Sequence, residues 1–206
     1  MKLLMPAWLR YTLMVLVIIS SGIIGISVYL DLNRLTHSVE WPNVPVINAP
    51  MRMPEFSLRD TNGDLQSISQ WSNQAKLINF WATWCAPCRR EMPLLQTLHT
   101  EQVHTGIQII GVAIDRQADV QSYLAESGVT YPILWGEGDA LVVSDMFGIT
   151  ELALPFTVLV SANDEILGVH VGELVLDQLV KMADISARVA AGEISAVDAR
   201  QRLATL

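Results

Sequence analysis

Leu77–Pro93 reads LINFWATWCAPCRREMP, and its reading decides the fold. Lys76–Ala82 (KLINFWA) is a nearly continuous apolar run, as expected of a short strand buried on both faces. The strand runs into a turn, and Cys85-Ala86-Pro87-Cys88 opens a helix that is expected to continue to about Thr100. Three residues make about one helical turn, so the two sulfurs can approach and close a disulfide with little backbone movement. Cys85 stands at the helix N-terminus, where unpaired N–H groups and the helix dipole favour an anion, so thiolate is available near neutral pH. Cys88 lies inside the first turn and is more shielded. A division of labour follows: Cys85 attacks a partner disulfide, and Cys88 resolves the mixed disulfide. Pro87 suits the first turn because its missing N–H would be unpaired there anyway.

Outward from this stretch, strands alternate with helices. Upstream, Phe56–Leu58 and Leu65–Ile68 flank Asp60-Thr61-Asn62-Gly63-Asp64, a β-hairpin whose Asn-Gly supplies positive-φ positions. Downstream, Ile107–Ile114 (IQIIGVAI) is a second buried strand, 117–127 a helix, Tyr131–Trp135 a short strand and 138–147 another helix. Phe156–Ser161 and Glu165–Gly172 form two strands joined at Ala162-Asn163-Asp164. Leu174 to about Ala191 is the closing helix, which 193–206 is expected to continue after Gly192. The pattern predicts an α/β sheet layered by helices, with an antiparallel hairpin at its end.

The chain has 206 residues, 51% of them hydrophobic, enough for one soluble domain plus a short extra element. All 21 acidic residues stand at or beyond Asp31, and a part that acidic repels phosphate backbones, so nucleic acid is a poor candidate and no nucleic-acid partner is expected. The only two cysteines are Cys85 and Cys88, too few for a structural disulfide framework. Tyr11–Leu30 runs twenty residues without a charge, about 30 Å as a helix, the thickness of a bilayer's hydrocarbon layer. A cleaved signal peptide would have a shorter apolar part and a small-x-small cleavage site, whereas this run ends in Val28-Tyr29-Leu30-Asp31. Lys2 and Arg10 precede the run, which favours a cytoplasmic N-terminus and an exported C-terminal domain. The expected organisation is a cytoplasmic N-terminus over 1–10, an anchor over 11–30, a proline-interrupted linker over 31–53 and a folded domain over 54–206.

With these residues in view, Leu77–Pro93 resembles the active-site segment of the TlpA/ResA-like branch of the thioredoxin superfamily, membrane-anchored bacterial thiol–disulfide proteins of which many are linked to cytochrome c maturation. The resemblance covers about residues 53–180 and implies a thioredoxin fold, a central mixed β-sheet flanked by helices. It also implies an N-terminal β-hairpin and, around 107–135, this branch's βα insertion. Cys85 and Cys88 match the redox pair, and Pro155 in Leu154-Pro155-Phe156-Thr157 matches the cis-proline that faces it. A cis bond there would present the Leu154 backbone to a substrate chain for strand-like pairing. Glu91 matches an acidic residue near the buried cysteine. It reads either as proton acceptor for Cys88 or as a solvated helix carboxylate. Thioredoxin itself has a buried aspartate where this chain has Asn79, and an amide cannot act as a base. Trp81 is read as core and Trp84 as flanking the site, Arg89 and Arg90 as a solvated face, and Pro93 as a helix kink.

The implied activity is disulfide exchange with exported protein thiols, most simply as a reductase re-reduced by an integral membrane thiol carrier, with no cofactor. Three other chemistries fit less well. A zinc site using His99 fails on geometry, since eleven residues of helix beyond Cys88 is about 16 Å, too far for one metal; His99 and His104 read as surface histidines. A copper-binding assembly factor would need a distant histidine, for which His170 is the only late candidate, and wider cysteine spacing. A thiol peroxidase would need Thr-x-x-Cys, whereas Thr83 is two residues before Cys85.

Overall fold

The computed structural model describes residues 50–101, 106–149 and 153–204. The expected anchor at 11–30, most of the linker, and His104 lie outside the described residues. Among those described, no helix is long and apolar enough to cross a membrane.

The order of elements is β1 (Ser57–Asp60), β2 (Leu65–Ser67), a 3-10 turn (Ile68–Trp71), β3 (Ala75–Trp81), α1 (Ala86–Thr100), β4 (Ile107–Ile114), α2 (Gln117–Ser127), β5 (Ile133–Gly136), α3 (Gly138–Met146), β6 (Phe156–Val160), β7 (Ile166–Val171), α4 (Leu176–Ala190) and α5 (Ala196–Leu203). The strands form one mixed sheet in the order β2-β1-β5-β4-β3-β6-β7. The active-site strand β3 is central, parallel to β4 on one side and antiparallel to β6 on the other. The segment expected as an insertion places β5 parallel to β4 and antiparallel to β1, so it joins the hairpin to the rest of the sheet.

Alternation along β3 splits the core in two. Leu77 and Trp81 point to the layer under α1 and α4, with Met92, Leu95, Ile109, Leu179 and Met182. Ile78 and Phe80 point to the other face, with Ile110, Val112, Phe147 and Phe156. There Phe80 stacks on Phe156 at 4.2 Å between centroids and meets Phe147 edge-on at 5.5 Å. Each such side chain contributes about 1.5–3 kcal/mol by leaving water, which explains why a run as apolar as KLINFWA settles at the sheet's centre. Gly111 pairs with Asn79 across the β3–β4 ladder. A Cβ there would come within 2.4 Å of Ile133 Cδ1 and 3.1 Å of Trp81 Nε1, so glycine makes room for both.

Four expectations change in detail. The hairpin is not closed by a two-residue Asn-Gly turn. Gly63 alone has positive φ, and the Asp60 carboxylate accepts from the backbone N–H of Asn62 and Asp64 at 2.9 and 3.0 Å, tying a four-residue loop. The strand expected at Tyr131 begins only at Ile133. The last segment does not continue α4: Gly192 turns the chain at φ +71°, and α5 starts afresh on a Ser195–Asp198 capping box. It packs on β7, where Leu203 occupies the space a side chain at Gly168 would need. Finally, residues 51–53, at the end of the expected linker, attach to the edge of the sheet by an isolated bridge. Ile166 N–H donates to Met51 C=O, Met53 N–H donates to Asp164 C=O, and Arg52 bridges to Glu165. This short addition covers the outer edge of β7 at the end remote from Phe156, and Arg200 of α5 reinforces it by donating to Ile166 C=O.

Candidate active site

Cys85 is the N-cap of α1, and it is bonded to Cys88 with their Cα atoms 5.3 Å apart. Its Sγ also accepts the Cys88 backbone N–H at 3.3 Å, one of the donors a helix leaves unpaired at its start. Cys85 is 5% exposed and Cys88 fully buried, in line with an outer, attacking sulfur and an inner, resolving one. The loop ahead of them is pinned by Asp115, the residue after β4. Its carboxylate accepts from Thr83 N–H at 2.9 Å and from Thr83 Oγ1–H at 2.6 Å. Trp81 is core, as expected, while Trp84 stands out at 61% exposed on the rim beside Cys85. A shallow groove of about 590 Å³ adjoins that rim, lined by Thr83, Trp84, Asp115, Asp119, Glu137 and Leu141 among others.

Of the two readings of Glu91, the structure selects the buried one. Glu91 is 1% exposed, on the face of α1 turned toward the sheet. Its Oε1 accepts from Asn79 Nδ2 at 2.7 Å and its Oε2 from Leu174 N–H at 2.7 Å. Burial pushes its pKa up to about 7, against the opposing pull of those two hydrogen bonds, and the Glu173 carboxylate adds to the rise. Asn79 Nδ2 donates a second hydrogen bond to Thr157 Oγ1 at 3.0 Å, while its own Oδ1 is buried with no partner. Arg90 is more than a solvated face: its guanidinium grips Glu173 with both Nε and an Nη. Arg89 is exposed.

The Leu154–Pro155 bond is cis. Phe156 pairs with Phe80, so Pro155 lies at the same end of the sheet as the turn into Cys85. Leu154 is half-buried and packs against both core layers. His99 is not a free surface histidine; its ring meets Tyr131 edge-on at 6.1 Å. His170 lies on β7 opposite Thr157, and burial lowers its pKa. Among the described residues no three His, Cys, Asp or Glu side chains gather to hold a metal ion. Sequence reasoning missed Asp115 and Thr157. Their one signal is a polar residue closing or interrupting an otherwise apolar run, in IIGVAID and FTVLV.

A redox-active Cys-x-x-Cys at the head of a helix, on the central strand of such a sheet and beside a cis-proline, defines a thiol–disulfide oxidoreductase of thioredoxin-like fold. Known proteins agree. A model of the Redoxin family matches residues 48–183, and the chain belongs to that family. The thiol-disulfide oxidoreductase ResA of Halalkalibacterium halodurans is 35% identical over 127 residues, 61% of this chain and 69% of the relative. ResA of Oceanobacillus iheyensis is 30% identical over 131 residues, 61% of this chain and 66% of the relative. Among solved structures, a thiol:disulfide interchange protein of the thioredoxin family from Chlorobium tepidum TLS superposes with a TM-score of 0.59 at 23% identity, over 68% of this chain and 97% of that one. A secreted thiol-disulfide isomerase from Corynebacterium glutamicum gives 0.57 at 22%, over 64% and 82%. At those identities the structures speak for the fold.

Proposed function

We propose that this oxidoreductase works as a reductase of exported protein disulfides, held in a bacterial inner membrane by residues 11–30, with its folded domain in the periplasm or at the cell exterior. The observation that carries the exchange chemistry is the depth order of the sulfurs, Cys85 at the rim beside exposed Trp84 and Cys88 sealed above Glu91's turn of the helix. The location rests on the uncharged run Tyr11–Leu30. In the reduced protein, the Cys85 thiolate attacks one sulfur of a partner disulfide. The partner's S–S bond breaks, one partner sulfur leaves as thiolate, and a Cys85–partner disulfide forms. Cys88 then gives its proton to the Glu91 carboxylate, and its thiolate attacks Cys85 Sγ. That closes the Cys85–Cys88 bridge and releases the second partner sulfur as thiolate. Two electrons have passed from the dithiol to the partner, so no cofactor is invoked. A group poised near pH 7 suits Glu91 to taking up and giving back that proton.

Trp84 offers a flat apolar contact at the rim, and Leu154 with Pro155 offers backbone for strand-like pairing with the partner chain. An integral membrane thiol carrier restores the dithiol by the reverse exchange. The branch's link to cytochrome c maturation makes haem-attachment Cys-x-x-Cys-His segments the favoured partners. The test is to express the full-length Cys88→Ser chain in its bacterial host and identify what it holds by disulfide. Capture of apocytochromes supports the proposal. Capture of many unrelated exported proteins would replace the partner assignment with general thiol repair, and capture of cytoplasmic proteins would overturn the location.

A further inference from the structure

The polar residues buried under α1 form a closed set whose hydrogen bonds do not add up in the usual way. Asn79 is fully buried on the central strand and offers two donors and two acceptor lone pairs. Both donors are used, on Glu91 Oε1 at 2.7 Å and Thr157 Oγ1 at 3.0 Å, yet Oδ1 has no partner among the described residues. A buried carbonyl oxygen without a donor is costly, by about 1–3 kcal/mol, and calls for an explanation. Glu91 supplies one. Its ionised form only accepts, so it needs the amide's N–H side, whereas its protonated form carries an O–H that needs an acceptor.

We propose that Asn79 is a positioning residue that follows the protonation of Glu91 by turning its side-chain amide end for end, with the Thr157 hydroxyl reversing its hydrogen bond in step. With Glu91 ionised, Asn79 Nδ2 donates to Glu91 Oε1 and to Thr157 Oγ1, as observed. With Glu91 protonated, Oδ1 takes the place of Nδ2 and accepts from Glu91 Oε1–H and from the Thr157 hydroxyl. The two lone pairs of a carbonyl oxygen allow both, and a hydroxyl can donate as readily as it accepts. Apart from the exchange of Oδ1 and Nδ2 the heavy atoms stay where they are, Leu174 N–H keeps its bond to Oε2, and the unpaired group changes from the carbonyl oxygen to the amide NH2. An aspartate at position 79 could not donate when ionised, and an apolar residue could do neither. The catalytic use of this turn rests on Glu91 exchanging a proton with Cys88, as proposed above.

The other ionisable groups around Glu91 cannot take this part. From its own helix come Cys88, the proton's source, and Arg90, which grips Glu173 in the loop after β7. Glu173 acts on Glu91 by repulsion at a distance. From the segment before β5 comes Tyr131, whose phenol burial and the Glu91 charge keep neutral. On β7, His170 lies across from Thr157 rather than from Asn79, and burial favours its uncharged form.

The experiment is NMR on the full-length reduced chain in detergent, with ¹⁵N asparagine and ¹³C-carboxyl glutamate. The Glu91 carboxyl carbon reports its titration, and the nuclear Overhauser effect from the Asn79 Nδ2 protons to the Thr157 methine reports which way the amide faces. That effect is expected to fall at least about threefold from pH 9 to pH 5, with the midpoint of Glu91, and to become independent of pH in Glu91→Gln. An effect that stays constant while the Glu91 carbon titrates overturns the proposal. In the same chain, Asn79→Leu is expected to slow resolution of the mixed disulfide about tenfold and move its pH midpoint up by about one unit, since the carboxylate loses a charge-assisted bond. Thr157→Val is a milder second variant, expected to shift the midpoint the same way by less. A stability loss with no shift in midpoint would mark Asn79 as structural only and would also overturn the proposal. If Glu91→Gln resolves as fast as the parent while the parent's amide turns with the titration of Glu91, the proton-acceptor reading falls and the turning amide stands.

Discussion

Asp115 and Thr83, 32 residues apart in sequence, are joined by two hydrogen bonds to one carboxylate oxygen, which accepts from the Thr83 backbone N–H at 2.9 Å and from its hydroxyl at 2.6 Å. Through this clamp the end of β4 fixes the loop that carries Trp84 and delivers Cys85 to the helix tip. Asp115→Ala should leave the Thr83 N–H unpaired, cost about 1–3 kcal/mol of stability and lower the rate of disulfide reduction severalfold. Asp115→Asn, which keeps an acceptor, should recover most of both. Denaturant unfolding and turnover of a model protein disulfide check the pair; equal loss in the two variants would contradict the clamp.

The depth order of the sulfurs makes a second prediction. In the reduced full-length chain, limiting iodoacetamide should label Cys85 well ahead of Cys88, because only Cys85 reaches the surface. Cys85→Ser should abolish exchange, and Cys88→Ser should permit the first attack and accumulate the mixed disulfide. Mass spectrometry of the alkylated protein reads the order directly, and preferential labelling of Cys88 would reverse the assigned parts.

The Glu91 carboxyl makes stability depend on pH in a defined direction. Its folded-state pKa of about 7 lies above the ordinary 4.5, so folding favours the protonated form. The contribution is therefore complete below about pH 4.5 and declines as the unfolded chain ionises while the folded one does not. It is gone above about pH 7, a loss of about 3 kcal/mol across that window. Glu91→Gln should flatten the slope, so that the variant gains on the parent between pH 5 and pH 8. Urea unfolding of the oxidised full-length chain at the two pH values measures it, and parallel behaviour of parent and variant would refute the assignment.

Gly111 is a steric prediction. A methyl group there meets Ile133 Cδ1 at 2.4 Å and crowds Trp81 and Tyr131, all in the layer beneath α1. Gly111→Ala should cost about 1–3 kcal/mol through overpacking. Gly106→Ala meets no neighbouring atom but sits at φ +67°, so its smaller cost should be backbone strain alone. Comparing their unfolding midpoints separates crowding from strain.

Much of this molecule could be read along the chain. KLINFWA and IQIIGVAI announce strands buried on both faces, and they form the centre of the sheet because they are almost wholly apolar and their few polar side chains, Lys76, Asn79 and Gln108, bond within the protein. The helix at 117–127 was visible for the same local reason. Contacts that join distant stretches were not. Asn79 and Glu91 lie 12 residues apart and Asn79 and Thr157 78 apart, so no periodicity links them. Glu91's burial depended on Leu174 meeting α1 from the far end of the fold. The cis bond before Pro155 was implied by a family resemblance, since the residues alone carry only the weak general tendency of proline. That the C-terminal helix stands apart from α4 was not legible, because a glycine at φ +71° can end a helix or punctuate it, and only the packing against β7 tells which.

The strand-like attachment of Met51–Met53 has a mechanical consequence. It is fastened beside Asp164 and Glu165, whereas Cys85 follows the opposite end of β3, about 20 Å away along the strand at 3.3 Å per step. A load applied at Met51 would therefore fall on the rear of the sheet, as shear across the two backbone hydrogen bonds that Met51 and Met53 make along the edge of β7, and would leave the Cys85 end unstressed.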